Sequence, residues 1–445
     1  MTQHPIRAAF AALLAAGALA AQDRPGVLKI RTQELANGMK VVIVEDHSRP
    51  VINLQVWYHV GSKDERAGRT GFAHLFEHMM FRGSKNVGPE EHMRYVREAG
   101  GMVNAYTHFD HTVYWESIPS NYLERMIWLE ADRMESLVIN EENFKKEREV
   151  VKEERRLRVE NPPYGLISDD LFPQVYRQYP YKHNPIGSMA DLNQATPADV
   201  QEFFNIYYVP DNATLVLVGD LDPNEGLGWA RKHFGRLPRG NKPVPRVTAT
   251  EPPQTEFREF TKSYNNVPLP GVISAYHLPP ASHTDSYALE LAASVLSSGQ
   301  SSRLYRRLVY DEQSAVQAAG QTLLLEGPSI FFGVAIANQG KEIKEVSSSM
   351  QVVLEGMRTE QVSEEELTKA KNQAAARFIV GNQSMQQKAD LLGLMAVQRG
   401  DPALYNTELA RYQKVTAGDV QRVAQKYLVP TNETRMWIYP EKGKK

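Results

Sequence analysis

Hydrophobic and polar positions recur along this chain with a period that changes from stretch to stretch. Residues 28–35 and 39–45 flank Asn37-Gly38, the commonest two-residue hairpin signal. Residues 51–60 alternate through Ile52, Leu54, Val56 and Tyr58, the pattern of a half-buried strand. A polar loop over 61–70 follows, and the spacing then turns helical over 71–81 and again over 89–99, where Gly100-Gly101 stops it. Residues 102–118 predict two strands around His108-Phe109-Asp110, followed by a helix capped by Ser120 and running to about Met134. Residues 141–159 predict a long, heavily charged helix. Thr196 and Pro197 open another, which leads into a strand over 213–219.

The prolines at 238, 243, 245, 252 and 253 carry no apolar periodicity with them, so 238–256 reads as an extended linker. Beyond it the pattern restarts. Strands are expected near 257–263 and 271–277, a helix over 285–298, strands near 315–325 and 330–337, and helices to the end. The restart is a repeat: Thr196, Asp199, Pro210, Asn212 and Thr214 recur as Thr416, Asp419, Pro430, Asn432 and Thr434 at a constant offset of 220. The expected fold class is α+β, with two homologous sheet-plus-helices domains over 22–237 and 257–445.

Candidate chemistry is concentrated in the first half. His74, Glu77 and His78 stand at i, i+3 and i+4, so a helix presents all three on one face. Two imidazoles at that spacing can hold Zn²⁺, and the carboxylate between them can take a proton from water the metal activates. The order is that of the inverted zinc-peptidase motif, His-x-x-Glu-His. Residues 287–296, the corresponding helix of the second half, contain no histidine, so metal chemistry belongs to the first half. A catalytic zinc needs a third protein ligand. In the charged helix, Glu154 has Val150, Val151 and Leu157 at i−4, i−3 and i+3, and Glu147 shares that apolar stripe; Glu149 and Glu153 should face water. A carboxylate on a buried face needs a partner, and a metal would serve. His92 is expected on a solvated helix face, and His108 and His111 in a turn. Tyr106 and Tyr114 suit either substrate contact or sheet packing.

Composition narrows the setting. With 51 basic and 53 acidic residues the net charge is −2, which lacks the basic excess of a nucleic-acid binder. Without any cysteine, a metal must be held by His, Asp or Glu. Arg7 followed by the Ala- and Leu-rich run 8–21 reads as a secretory signal of about 20 residues, too short for a membrane span. Export to a bacterial periplasm is the expectation, with 1–21 removed.

His74 to His78, the stretch Gly100-Gly101-Met-Val-Asn104-Ala105-Tyr106-Thr107, and Glu147-Arg-Glu-Val-Val-Lys-Glu-Glu154 together resemble the pitrilysin/insulinase family of zinc peptidases. The resemblance covers essentially the whole mature chain. It is closest to the branch of short two-domain chains that includes the processing-peptidase catalytic subunit. It implies a single Zn²⁺ per chain held by His74, His78 and Glu154, with Glu77 as general base and Glu147 supporting a ligand rather than being one. It implies two α/β-roll halves forming a clam shell, with peptide substrates cut inside a chamber. Asn104 and Ala105 would lie on an edge strand that pairs with substrate, and Phe81 would line the pocket for the residue after the cut. Single-chain members carry an Arg and a Tyr seven residues apart in the second half, to stabilise the substrate carbonyl. Here those positions are Val309 and Val316, while Arg303 and Tyr310 have the spacing in the wrong register. That departure implies a homologous partner chain supplying the donors, a heterodimer rather than a homodimer. The competing class is a peptidase-like scaffold that does not itself cut.

Overall fold

The computed structural model describes residues 27–441; the predicted export signal lies outside them. The first sheet contains β1 (Ile30–Glu34), β2 (Lys40–Glu45), β3 (Val51–Tyr58), β4 (Met102–Thr107), β5 (Thr112–Pro119) and β6 (Ala213–Gly219), in the order β1-β2-β6-β3-β5-β4. The second contains β7 (Arg258–Tyr264), β8 (Gly271–Leu278), β9 (Ala315–Leu323), β10 (Ser329–Ala337) and β11 (Glu433–Pro440), in the order β7-β11-β8-β10-β9. In each half the last strand is inserted at the centre. β6 runs parallel to β2 and antiparallel to β3, and β11 runs parallel to β7 and antiparallel to β8. The fold is α+β; apart from β1, which has no counterpart in the second sheet, the two halves share one topology, with open edges at β4 and β9.

The sequence repeat has a physical basis in the structure. Thr196 and Thr416 each cap a helix through a reciprocal box with Asp199 or Asp419. Eleven residues on, the helix ends with a carbonyl that lacks an intrahelical donor. Asn212 donates its side-chain amide to the Tyr207 carbonyl at 2.8 Å, and Asn432 donates to Tyr427 at 2.7 Å.

Each sheet is covered on both faces, which is why β6 is buried along its whole length and apolar apart from Thr214. One face of the first sheet (Ile43, Leu54, Val56, Tyr58, Tyr114, Leu217) packs on helices of its own half. The opposite face (Val42, Val44, Trp57, Val113, Val216, Val218) is covered by Met385, Ala389, Leu392 and Met395 of the helix Met385–Gln398, from the other half. Gly393 of that helix lies so close to Trp57 that a Cβ would fall 2.1 Å from the indole. Reciprocally, Leu171, Val175, Tyr176 and Tyr181 of the first half cover Ile273, Ile330, Met436 and Ile438 of the second sheet.

Several elements differ from expectation. Ser120 does not cap an α-helix: it opens a short 3-10 turn and donates its hydroxyl to Asp220 at 2.9 Å, and the helix Leu123–Ser136 begins after it. The charged helix is α-helical over Glu141–Arg155, capped by Asn140, and then widens to a π-turn over Arg156–Glu160. Helices Ile167–Val175, Met189–Gln194 and Pro223–His233 are not among the elements expected from the sequence, although Ser188 and Asp222 cap the last two.

Candidate metal centre

The helix Phe72–Met79 is anchored at its start. Gly71 sits at φ +88°, where L side chains are strained, and a Cβ there would meet the Ile186 carbonyl oxygen at 2.5 Å. The buried Glu65 carboxylate accepts the N–H groups of Gly71 and Ala73 at 2.8 and 2.7 Å, answering two of the helix's unpaired donors. Leu75, Phe76 and Met79 enter the core, while His74, Glu77 and His78 line a cleft of about 430 Å³.

The helix Glu141–Arg155 packs alongside, and its buried stripe is Phe144, Glu147, Val151 and Arg155. This corrects the apolar stripe expected from the sequence, because Val150 and Leu157 are 46% and 61% exposed. Glu154 is therefore not buried among apolar neighbours. It stands beside the true stripe at the cleft wall, with Oε2 3.2 Å from His78 Nε2 and 3.7 Å from His74 Nε2. The ligand atoms of these three residues all lie within 4.8 Å of one another. Ligand atoms around a tetrahedral zinc are separated by roughly 3.3–3.5 Å, since each bond is about 2.0–2.2 Å. The spacing suits such an ion.

The electrostatics suit it too. Burial and the neighbouring His78 push His74 down to about 4, leaving a neutral imidazole. Its buried Nδ1 has no hydrogen-bond partner among the described residues. Burial works against a charge on His78, but Glu147 and Glu154 raise it to about 9. A cluster that draws a proton so strongly is one whose negative charge a divalent cation would satisfy. Glu154 is held below the usual carboxylate range by its bond to His78. Burial opposes ionisation of Glu147, yet His78 and Arg82 keep its pKa low. Glu147 Oε2 lies 3.2 Å from His78 Nδ1, and Arg82 pairs with the same carboxylate.

Glu77 is buried beside these groups. Burial pushes its pKa up to about 7, against a hydrogen bond donated by the Thr107 hydroxyl to Oε2 at 2.6 Å. Edge strand β4 forms one wall of the cleft with Val103, Asn104, Ala105, Tyr106 and Thr107. Phe81 lines it as well, propped by Tyr114 (ring centroids 6.0 Å apart), His92 (6.3 Å) and the Arg133 guanidinium (5.2 Å).

The remaining histidines are elsewhere. His92 is buried, not solvated, with Nε2 2.9 Å from Glu116 and 3.4 Å from Glu130. Arg133 already pairs with Glu130 there. Burial drives His92 down to about 3 and Glu130 up to about 8, so this cluster resolves its charge with protons and an arginine. His108 and His111 stack at 5.1 Å outside the cleft, and Tyr114 is a core residue whose hydroxyl meets that of Tyr208 at 3.1 Å. Sequence reasoning missed Thr107, Glu65, Arg82 and Arg158. Arg158 had a signal, since it stands four residues after Glu154 on one helix face and pairs with it at 2.6 Å. The others are brought in by tertiary contact.

All residues lining the cleft fall between His74 and Arg158, in the first half. Arg303 is engaged by Glu366 in a two-pronged pair at 2.7 Å, and Tyr310 is 73% exposed. Val309 packs on the second core and Val316 is exposed on β9.

Residues 40–187 match the family model described as insulinase (peptidase family M16), and 194–374 match the one described as the peptidase M16 inactive domain. The chain is 32% identical to the zinc protease PqqE of Helicobacter pylori over 91% of this chain and 92% of that one. The crystal structure of a protease from Helicobacter pylori superposes with a TM-score of 0.89 at 32% identity, covering 93% of this chain and all of that one. A probable mitochondrial-processing peptidase subunit beta of Arabidopsis thaliana is 22% identical over 89% of this chain and 76% of its own length.

Proposed function

The chain belongs to the insulinase family of peptidases (peptidase family M16), and from that premise we propose that it is a zinc-dependent endopeptidase acting on peptides or unfolded segments. The observation that carries the reading is the convergence of His74, His78 and Glu154 beside the buried carboxylate of Glu77. Relatives in the family carry the name zinc protease, and here one Zn²⁺ per chain would be held by those three side chains. When bound, the ion supplies Lewis acidity, polarising a carbonyl and bringing the ionisation of water toward about pH 7.

The chain's own residues do the rest. Glu77 takes the proton as water adds to the scissile carbonyl, and returns it to the leaving amine. Thr107 fixes one oxygen of Glu77 and leaves the other to meet water. Glu147 holds the His78 ring in orientation and is itself held by Arg82. Asn104 and Ala105 pair with the substrate backbone along the open edge of β4, and Phe81 forms an apolar wall for the residue after the cut. The two α/β-roll halves form a clam shell, and a second chain closes the chamber.

A homologous partner supplying Arg and Tyr donors fits the one-sided lining of the cleft and the valines at 309 and 316. Purified chain alone should then show little turnover, and full activity from a demonstrated monomer would rule this out. The periplasm fits the run over 8–21. No helix among the described residues is long and apolar enough to cross a membrane. The test of the main reading is metal analysis and peptide cleavage by the complex purified from its host. Glu77→Gln should keep zinc and lose cleavage. A folded, partner-bound preparation without zinc overturns the reading, and a zinc-loaded wild-type complex that cuts nothing favours the scaffold.

A further inference from the structure

Strand β4 borders the metal cleft along its edge from Val103 to Thr107, and its side chains leave that edge alternately to two faces. Val103 and Ala105 pack on the core that carries the helix Phe72–Met79, and Thr107 bonds Glu77. Tyr106 packs with the cluster on the opposite face, its ring 6.3 Å from Trp57. A peptide strand paired to β4 must send alternate side chains to opposite faces. On the far face, beside Tyr106, lies a cavity of about 390 Å³ between the two halves. Trp57 and Tyr106 form its first-half side, and Phe378, Leu391 and Leu394 come from the helices Glu364–Gly381 and Met385–Gln398 of the second.

Two carboxylates line this cavity without an ion-pair partner among the described residues. Asp390 accepts from Gln55 at 2.8 Å, and Glu290 accepts from the Tyr412 hydroxyl. Burial raises the pKa of both; the charges of Arg399 and Arg377 offset part of that at Glu290, whereas at Asp390 only the Gln55 bond does, and a cation beside them would relieve the remainder. Glu408 is already answered by Arg399 and Tyr287. Arg377 also lines the cavity but is an exposed residue, and burial keeps His111 neutral. Aromatic walls accept the stem and flat head of a long basic side chain, and a carboxylate accepts its N–H groups.

We propose that this cavity is a second side-chain subsite, taking an arginine or lysine of the substrate strand; the proposal rests on the peptidase reading for its substrate. Its position is constrained by the strand. The basic residue must have the parity opposite to the residue seated against Phe81.

The experiment uses the zinc-loaded full chain with its co-purified partner and position-scanned fluorogenic peptides carrying arginine or its neutral isostere citrulline. The same peptides are titrated by anisotropy onto the Glu77→Gln protein, which reads binding without cleavage. One position should favour arginine over citrulline on the order of tenfold in KM and in Kd, at the parity opposite the Phe81-facing residue. Asp390→Asn with Glu290→Gln should bring that ratio toward one, and Arg377→Ala, which removes a like charge, should raise it. Cleavage with no basic preference, or with the preference at the Phe81 parity, overturns the subsite and leaves the peptidase reading standing. An arginine preference in binding without cleavage by the wild type does the reverse. Unchanged ratios in both variants overturn the assignment of Asp390 and Glu290.

Discussion

Replacing Thr107 with valine removes one hydrogen bond and almost no volume, and its consequence for the proposed general base can be worked through. The Thr107 hydroxyl donates to Glu77 Oε2 at 2.6 Å, and burial pushes the Glu77 pKa up to about 7 while that bond opposes the rise. A hydrogen bond to a charged group contributes about 1.5–3 kcal/mol. If roughly 1.4 kcal/mol of it favours the ionised form over the neutral one, the pKa rises by about one unit in the variant. One pH unit below the wild-type pKa the ionised fraction then falls from about a tenth to about a hundredth, and kcat/KM falls about tenfold with it. More than about two units above that pKa the two proteins converge. A bound cation lowers the pKa in both proteins alike, moving the window down without closing the gap between them. The assay is kcat/KM against pH for one fluorogenic peptide, with zinc content checked at each point. An acid limb that stays where it was, or a uniform loss at every pH, would refute the role given to this hydroxyl.

Other outcomes follow from the same geometry. Glu147→Ala frees the His78 ring and should weaken zinc binding by about 10–100-fold, read by competition with a chromogenic chelator. Asn212→Ala leaves the buried Tyr207 carbonyl without its donor and should cost about 1–3 kcal/mol in a urea titration, and Asn432→Ala, whose bonds to Tyr427 and His277 are part-buried, about 1 kcal/mol. Glu326 is held down to about 2: burial would raise it, but His59 and Lys63 prevail. Its folded pKa is depressed, so its contribution is present above about pH 4.5 and lost as pH falls toward 2. Glu326→Gln should therefore melt lower than wild type at pH 7, with the difference shrinking through that window; a difference independent of pH would exclude the ion pair as its source.

The fold was legible where one face of an element is apolar and its partners are near in sequence. The alternation over 51–60 became β3, and Thr196 and Thr416 marked helix starts because capping is local chemistry between residues three apart. His92 was misread because the acids that justify its burial, Glu116 and Glu130, lie 24 and 38 residues further on, and nothing in a two-turn helix announces them. Glu154, the proposed third ligand, shows the deeper reason. In the helix Glu141–Arg155 the buried positions include Glu147 and Arg155, while Val150 outside that stripe is half exposed. Hydrophobicity therefore points to the wrong face by about one residue. Each buried charge there has an answer elsewhere in the fold: Glu147 in Arg82 and His78, Arg155 in Glu160, Asp169 and the Gly187 carbonyl. A helix with charged residues inside and a valine outside is costly as packing alone. The same helix aims Glu154 at two imidazoles, and Glu147 holds one of them from behind, so the pattern fails at the place where the chemistry is proposed.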